Sequence, residues 1–166
     1  MAFGLGAVLL WSTVATAFKV TLRHTSPAAM LLGASLNSAV VLLIIIVFTG
    51  RLTVLRRLQR VEILADLAMG LVNPFAYYLV LFKAYSLLPA QEAQALNYTW
   101  AVTFALLAVP LLKQRLGAGE IVAILVSYFG VYIISTKGAV SSFNIASPVG
   151  VGLALGSTLI WSAYWF

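Results

Sequence analysis

Residues 148–166 read PVGVGLALGSTLIWSAYWF, and they echo the start of the chain. A shift of 150 positions lays Leu155-Gly156 on Leu5-Gly6, Leu159 on Leu9, and Trp161-Ser162 on Trp11-Ser12. Leu and Gly recur by chance in apolar sequence. The Trp-Ser pair is the informative part, because the chain holds only four tryptophans. Both copies are apolar and about as long as a membrane span. If five spans separate them, the second copy enters the membrane from the opposite face, which is an inverted-topology repeat. The expected layout is one five-helix repeat over residues 1–137, an extracytoplasmic linker over 138–147, and the first helix of a truncated second repeat over 148–166.

Composition agrees with a membrane location. The hydrophobic fraction is 63% and only 8% of residues are charged, against about 25% charged in soluble domains. A soluble domain cannot hide that much apolar surface, so the expected class is an all-α polytopic membrane protein. No basic-aromatic pattern suited to nucleic acid is present. The absence of cysteine excludes a disulfide framework and a thiolate metal site. The N-terminal apolar run ends in Ala15-Thr16-Ala17, which fits a signal-peptidase pattern, but no Lys or Arg precedes it. The segment is therefore expected to stay in the mature fold. Both ends of the chain fall inside apolar runs, as expected of a piece of something longer.

Hydropathy predicts six spans: Phe3 to Leu22, Pro27 to Thr49, Asp66 to Leu88, Ala90 to Leu112, Glu120 to Thr136, and Pro148 to the end. Pro27 opens the second span at a position that needs no amide donor. Pro110 is expected to bend the end of the fourth. The loops after the second and fourth spans hold six basic residues: Arg51, Arg56, Arg57, Arg60, Lys113 and Arg115. Those after the first, third and fifth hold two, Arg23 and Lys137. The positive-inside rule then places the N-terminus in the cytoplasm. Anchoring explains the arginine run. A specific anionic-lipid site is the sharper alternative.

Polar groups inside a span are expensive and often functional. Lys19 and Lys83 lie near the outer ends of the first and third spans. Either both snorkel to the headgroups, or one pairs with Glu92 at the outer end of the fourth. Glu92 is the best proton-sensitive candidate if transport is coupled, and it also suits the first turn of a helix. Asn37, with Ser35 and Ser38, reads as helix-helix glue rather than a substrate site. Asn73 and Tyr77 are four apart and so are expected to share a face. Pro74 between them makes either a ligand site or a simple kink. Trp11, Trp100 and Trp161 sit well inside their spans, whereas belt aromatics prefer span ends. They are candidates for one cavity wall, with structural packing as the alternative.

Several motifs carry no chemistry. Gly150-x-Gly152-x-x-x-Gly156 is one residue off a dinucleotide fingerprint and follows no strand. Its Gly152-x-x-x-Gly156 part is a small-residue packing face. The only histidine, His24, lies in a loop, and the only aspartate, Asp66, lies at a span end. The expectation is a protein that is not an enzyme and needs no metal or cofactor.

Three stretches carry a family resemblance. Pro89-Ala90-Gln91-Glu92-Ala93 resembles a small-residue entry into the fourth helix. Leu111-Leu112-Lys113-Gln114-Arg115-Leu116 resembles the loop written l-l-g-E-R-l, with Gln114 in place of the glutamate. Phe129-Gly130-Val131-Tyr132-Ile133-Ile134 resembles a-G-v-y-l-i. Together they resemble the EamA-type repeat of the drug/metabolite transporter superfamily. Asn97-Tyr98-Thr99-Trp100 and the two Trp-Ser segments are similar to its aromatic amino-acid exporter branch. Ala101 stands where that branch has a proline, so the fourth helix is expected to run straight there.

The resemblance implies a ten-helix inverted-repeat transporter with cytoplasmic termini in a bacterial inner (plasma) membrane. It would export small metabolites, with amino acids as the expected class, by alternating access through a central cavity. Trp11, Asn97, Trp100 and Trp161 are the implied substrate-binding residues, joined by Asn73 and Tyr77 from the helix-face argument. The implied partners are a small-molecule substrate, the lipid bilayer, and a second repeat or partner chain. Two other readings stand beside it: a non-transporting half-unit or scaffold assembling through Gly152 and Gly156, and a nucleotide-sugar or multidrug carrier of the same superfamily.

Overall fold

The computed structural model describes residues 2–55, 58–136, 138 and 147–166. Arg56, Arg57, Lys137 and nearly all of the expected linker lie outside the described residues. Everything regular in the rest is helix. In chain order the elements are α1 (Ala2–Thr21), α2 (Pro27–Phe48), α3 (Leu52–Leu55), α4 (Arg60–Gly70), a π-helical segment (Leu71–Ala76), α5 (Tyr77–Leu87), α6 (Ala90–Tyr98), α7 (Trp100–Leu112), α8 (Ala118–Ser135) and α9 (Pro148–Tyr164). Four helical stretches are long and apolar enough to cross a bilayer: Phe3–Thr21, Pro27–Phe48, Arg60–Leu87 and Ala90–Leu112. Two more, Ala118–Ile134 and Pro148–Tyr164, are apolar and shorter. The chain is an all-α, polytopic membrane protein.

Local chemistry sets the helix ends. Ser26 caps α2 by accepting the Ala29 amide at 3.2 Å, with Pro27 at the first position. Ser147 caps α9 in the same way, accepting the Gly150 amide at 3.1 Å ahead of Pro148. The third span starts at Arg60, six residues before the expected Asp66, because Glu62 reaches back to the Gln59 amide at 2.8 Å and starts the helix early. Glu120 does the same for α8 through the Gly117 amide.

One expectation about helix shape is corrected. The fourth span is interrupted, although with Ala101 it is expected to run straight. Thr99, at ψ −1°, bonds back to the Leu96 carbonyl with its hydroxyl (2.7 Å) and its amide (3.2 Å). Such back-bonding tightens and bends a helix. Pro110, by contrast, lies within α7, which continues to Leu112. It stops there because Lys113 adopts the left-handed conformation at φ 55°. Lys113 stands at the glycine position of the l-l-g-E-R-l pattern.

The core lies where α9 packs against α5, α6 and α7. Ala154 meets Leu81, Ala84, Leu88, Ala93 and Leu96 there, and Ala15 joins from α1. The close approach explains Gly150: a Cβ at this position would meet Leu88 Cγ at 2.7 Å. α2 buries only Leu31, and α4 and α8 bury no described side chain. Their apolar outer faces suit lipid, where helices satisfy their own backbone groups. The expected packing face at Gly152 and Gly156 is open among the described residues, since an added Cβ at either would meet nothing within 4 Å.

Candidate functional site

A cavity of about 250 Å³ lies between α1, α5, α6, α7 and α9. Its wall is aromatic. α1 supplies Trp11 and Phe18, and α5 supplies Tyr77, Tyr78 and Tyr85. Tyr98, Trp100 and Trp161 complete the ring of aromatics. The polar lining comes from Gln94, Asn97 and the tyrosine hydroxyls. Among the described residues, no Asp, Glu, Lys or Arg lines the cavity.

The rings are mutually arranged. Trp161 lies 4.9 Å from Tyr77 and 6.3 Å from Trp100, centroid to centroid, the latter edge-on. Edge-on and offset pairs are the favoured geometries. Trp161 Nε1 is buried and has no hydrogen-bond partner among the described residues. A buried N–H without a partner calls for an explanation, and a solute acceptor supplies one. Trp11 reaches the cavity from a loosely held helix and remains 57% exposed.

One polar cluster ties the walls together. Asn97 is buried, and its amide oxygen accepts the Tyr77 hydroxyl at 3.2 Å. Its amide nitrogen lies 3.1 Å from both Tyr77 Oη and Ser157 Oγ. The nitrogen is thus committed inside the fold, and the amide oxygen keeps a lone pair. One turn deeper, Thr103 and Thr158 share a hydrogen bond of 2.8 Å. Ser162 donates to the Trp100 carbonyl at 3.3 Å. Ser157, Thr158 and Ser162 are fully buried on α9. Ser12, of the other Trp-Ser pair, instead bonds within its own helix, to the Leu9 carbonyl, and stays exposed.

Of the six residues expected at a binding site, five line this cavity: Trp11, Tyr77, Asn97, Trp100 and Trp161. Asn73 does not. The shared face with Tyr77 assumed a regular helix, but the intervening segment is π-helical and Asn73 has the extended angles φ −141°, ψ 116°. Four residues across such a segment no longer mean one face. The three charged candidates lie outside the cavity lining. Lys83 is exposed, while Glu92 is buried in the first turn of α6, not superficial. Lys19 turns inward and donates to the backbone carbonyls of Tyr85 (2.8 Å) and Leu88 (2.6 Å).

Sequence reasoning missed Ser157 and Thr158, and used Ser162 only as a repeat marker. Gly150, Ala154, Ser157, Thr158 and Ser162 fall on one helical face of small residues, and that spacing was the available signal. Among the described residues, no group of three or more His, Cys, Asp or Glu could hold a metal ion.

Comparison with known proteins gives one match. The model of the EamA-like transporter family matches residues 1–136. No curated protein and no solved structure matches the chain.

Proposed function

The chain belongs to the EamA-like transporter family, and from that premise we propose that it exports small metabolites, with amino acids as the substrate class. The observation that carries this reading is the charge-free aromatic cavity. Apolar side chains of a solute gain from burial against Trp and Tyr rings. An ammonium group is attracted to the ring faces without a fixed carboxylate. The orphan indole N–H of Trp161 and the free lone pair of Asn97 Oδ1 offer one donor and one acceptor. Such a site suits a zwitterion of no net charge, and it disfavours a multiply charged nucleotide sugar, for which no basic lining is present. Alternating access would expose it to each side in turn, within a ten-helix inverted repeat that the Trp-Ser echo supports. The basic loops favour a cytoplasmic N-terminus in a bacterial inner membrane.

The deciding experiment follows efflux of a panel of labelled amino acids from cells expressing the longest reading frame that contains this chain, with residues 1–166 alone in parallel. Efflux that Trp100→Ala abolishes at equal membrane abundance supports the reading. No movement of any amino acid by either protein, with both in the membrane, overturns the substrate class.

A second reading draws on the open face at Gly152 and Gly156. These glycines border a groove of about 380 Å³ with Thr103, Leu106 and Tyr128. A helix of a partner chain would fit such a small-residue groove, making this chain a half-unit. Efflux by residues 1–166 alone favours it.

A further inference from the structure

Lys19 links two parts of the molecule that are far apart in sequence. α5 ends at Leu87, and the next residue, Leu88, is extended at φ −115°, ψ 157°. The last carbonyls of a helix lack intrahelical partners and carry the negative end of its dipole. They are usually capped locally. Here the cap comes from another helix: the Lys19 ammonium donates to Tyr85 O and Leu88 O across 66 and 69 residues.

The neighbouring residue closes the cavity. The Phe18 ring meets Tyr85 at 5.6 Å and Phe82 at 4.8 Å, edge-on in both cases. Phe18 and Tyr85 are both part of the aromatic wall. The cap on α5 and this part of the cavity wall are therefore supplied by adjacent residues of α1. The rest of α1 is weakly held. Ala15 is its only buried residue among those described, and its earlier half is exposed. On the other flank of Lys19, a recess lined by Thr16, Arg23, Pro89 and Gln91 separates α1 from the α5–α6 turn, leaving space there.

We propose that Lys19 is the latch of this end of the cavity, and that the cavity opens there when the Lys19 ammonium leaves the carbonyls of Tyr85 and Leu88. The proposal rests on the transport reading for its purpose. Its geometry and test stand without it. A hydrogen bond to a charged group is strong enough to hold one state and weak enough to be exchanged within a cycle. Arginine at this position keeps the charge and donors. Methionine keeps the length and loses both.

The chain contains no cysteine, so a single Val14→Cys in the cavity wall reports access. The measurement is its labelling rate by a membrane-impermeant maleimide, added from the side where α1 ends. It uses the full reading frame in sealed vesicles of known orientation. Lys19→Met should raise the rate about tenfold or more, as expected from losing charged hydrogen bonds, while Lys19→Arg stays slow. If Lys19→Met does not insert, Lys19→Gln is read the same way and should also label faster than the parent. Parent-like labelling in the neutral variants overturns the latch, even if the protein moves solutes. Faster labelling without transport of any solute upholds the latch and removes the transport reading.

Discussion

Asn97 and Tyr77 hold each other across two helices: hydroxyl to amide oxygen at 3.2 Å, amide nitrogen to hydroxyl oxygen at 3.1 Å. The pair joins α6 to the start of α5, and Ser157 extends it to α9. A neutral cluster of this kind positions a cavity wall with no charge in the bilayer interior. Interhelical hydrogen bonds of this type are worth about 0.6–2 kcal/mol.

Tyr77→Phe removes one partner and keeps the ring. The variant should lose about 1 kcal/mol of stability and bind solute more weakly, with normal membrane abundance. Thermal unfolding in detergent and the solute concentration giving half-maximal efflux test this. A parent-like value in both would show that Asn97 needs no tyrosine.

Trp100→Ala removes one wall of the cavity and a partner of Trp161. Efflux should fall about tenfold or more, which corresponds to roughly 1.4 kcal/mol of lost interaction, within reach of one aromatic contact and its area. Rates normalised to protein in the membrane are the measurement.

Gly150→Ala puts a methyl group where the Leu88 Cγ lies 2.7 Å away. Leu88 is fully buried and has little room to retreat. Overpacking of this kind costs about 1–3 kcal/mol. The same change at Gly152, inside α9 where an added Cβ meets nothing, should instead raise stability of the isolated chain by about 0.5–1 kcal/mol. Melting the two variants side by side checks the contrast.

Lys113→Gly should stabilise the protein. Lys113 holds φ 55°, a left-handed conformation that costs a non-glycine residue roughly 1–2 kcal/mol. Glycine adopts it freely and repays part of the gain through its greater freedom when unfolded. A net rise of about 0.5–1 kcal/mol is expected, and a lower melting temperature would show that the Lys113 side chain is itself a stabilising contact.

The spans were legible because a bilayer demands long apolar runs, and four of the six expected are helices long and apolar enough to cross one, the other two being shorter. Trp11, Trp100 and Trp161 could be singled out because tryptophan is rare here and each lies far from a span end. Asn73 was misplaced because hydropathy does not reveal a π-helical segment, and every helix-face argument depends on regular geometry. Lys19 was ambiguous for a different reason. Its acceptors are backbone carbonyls, which carry no residue-specific signal, and they lie nearly seventy positions away. Glu62 shows the limit at helix ends: its capping contact is a local pattern, yet polar residues there hid the first turn of an apolar span.

The buried hydroxyls of α9 have a consequence for biosynthesis. Asn97 and Thr103 take their partners from Ser157 and Thr158, made 60 and 55 residues later. At roughly 5–20 residues per second, synthesis of that intervening chain takes several seconds. During that interval α5, α6 and α7 are in the membrane without the helix that completes them. Asn97 then has Tyr77 and Thr103 has the Thr99 carbonyl, but the bonds that reach to α9 are still unmade. Assembly of this core is therefore timed by the arrival of α9, and a chain stalled before Ser157 is a natural target for membrane quality control.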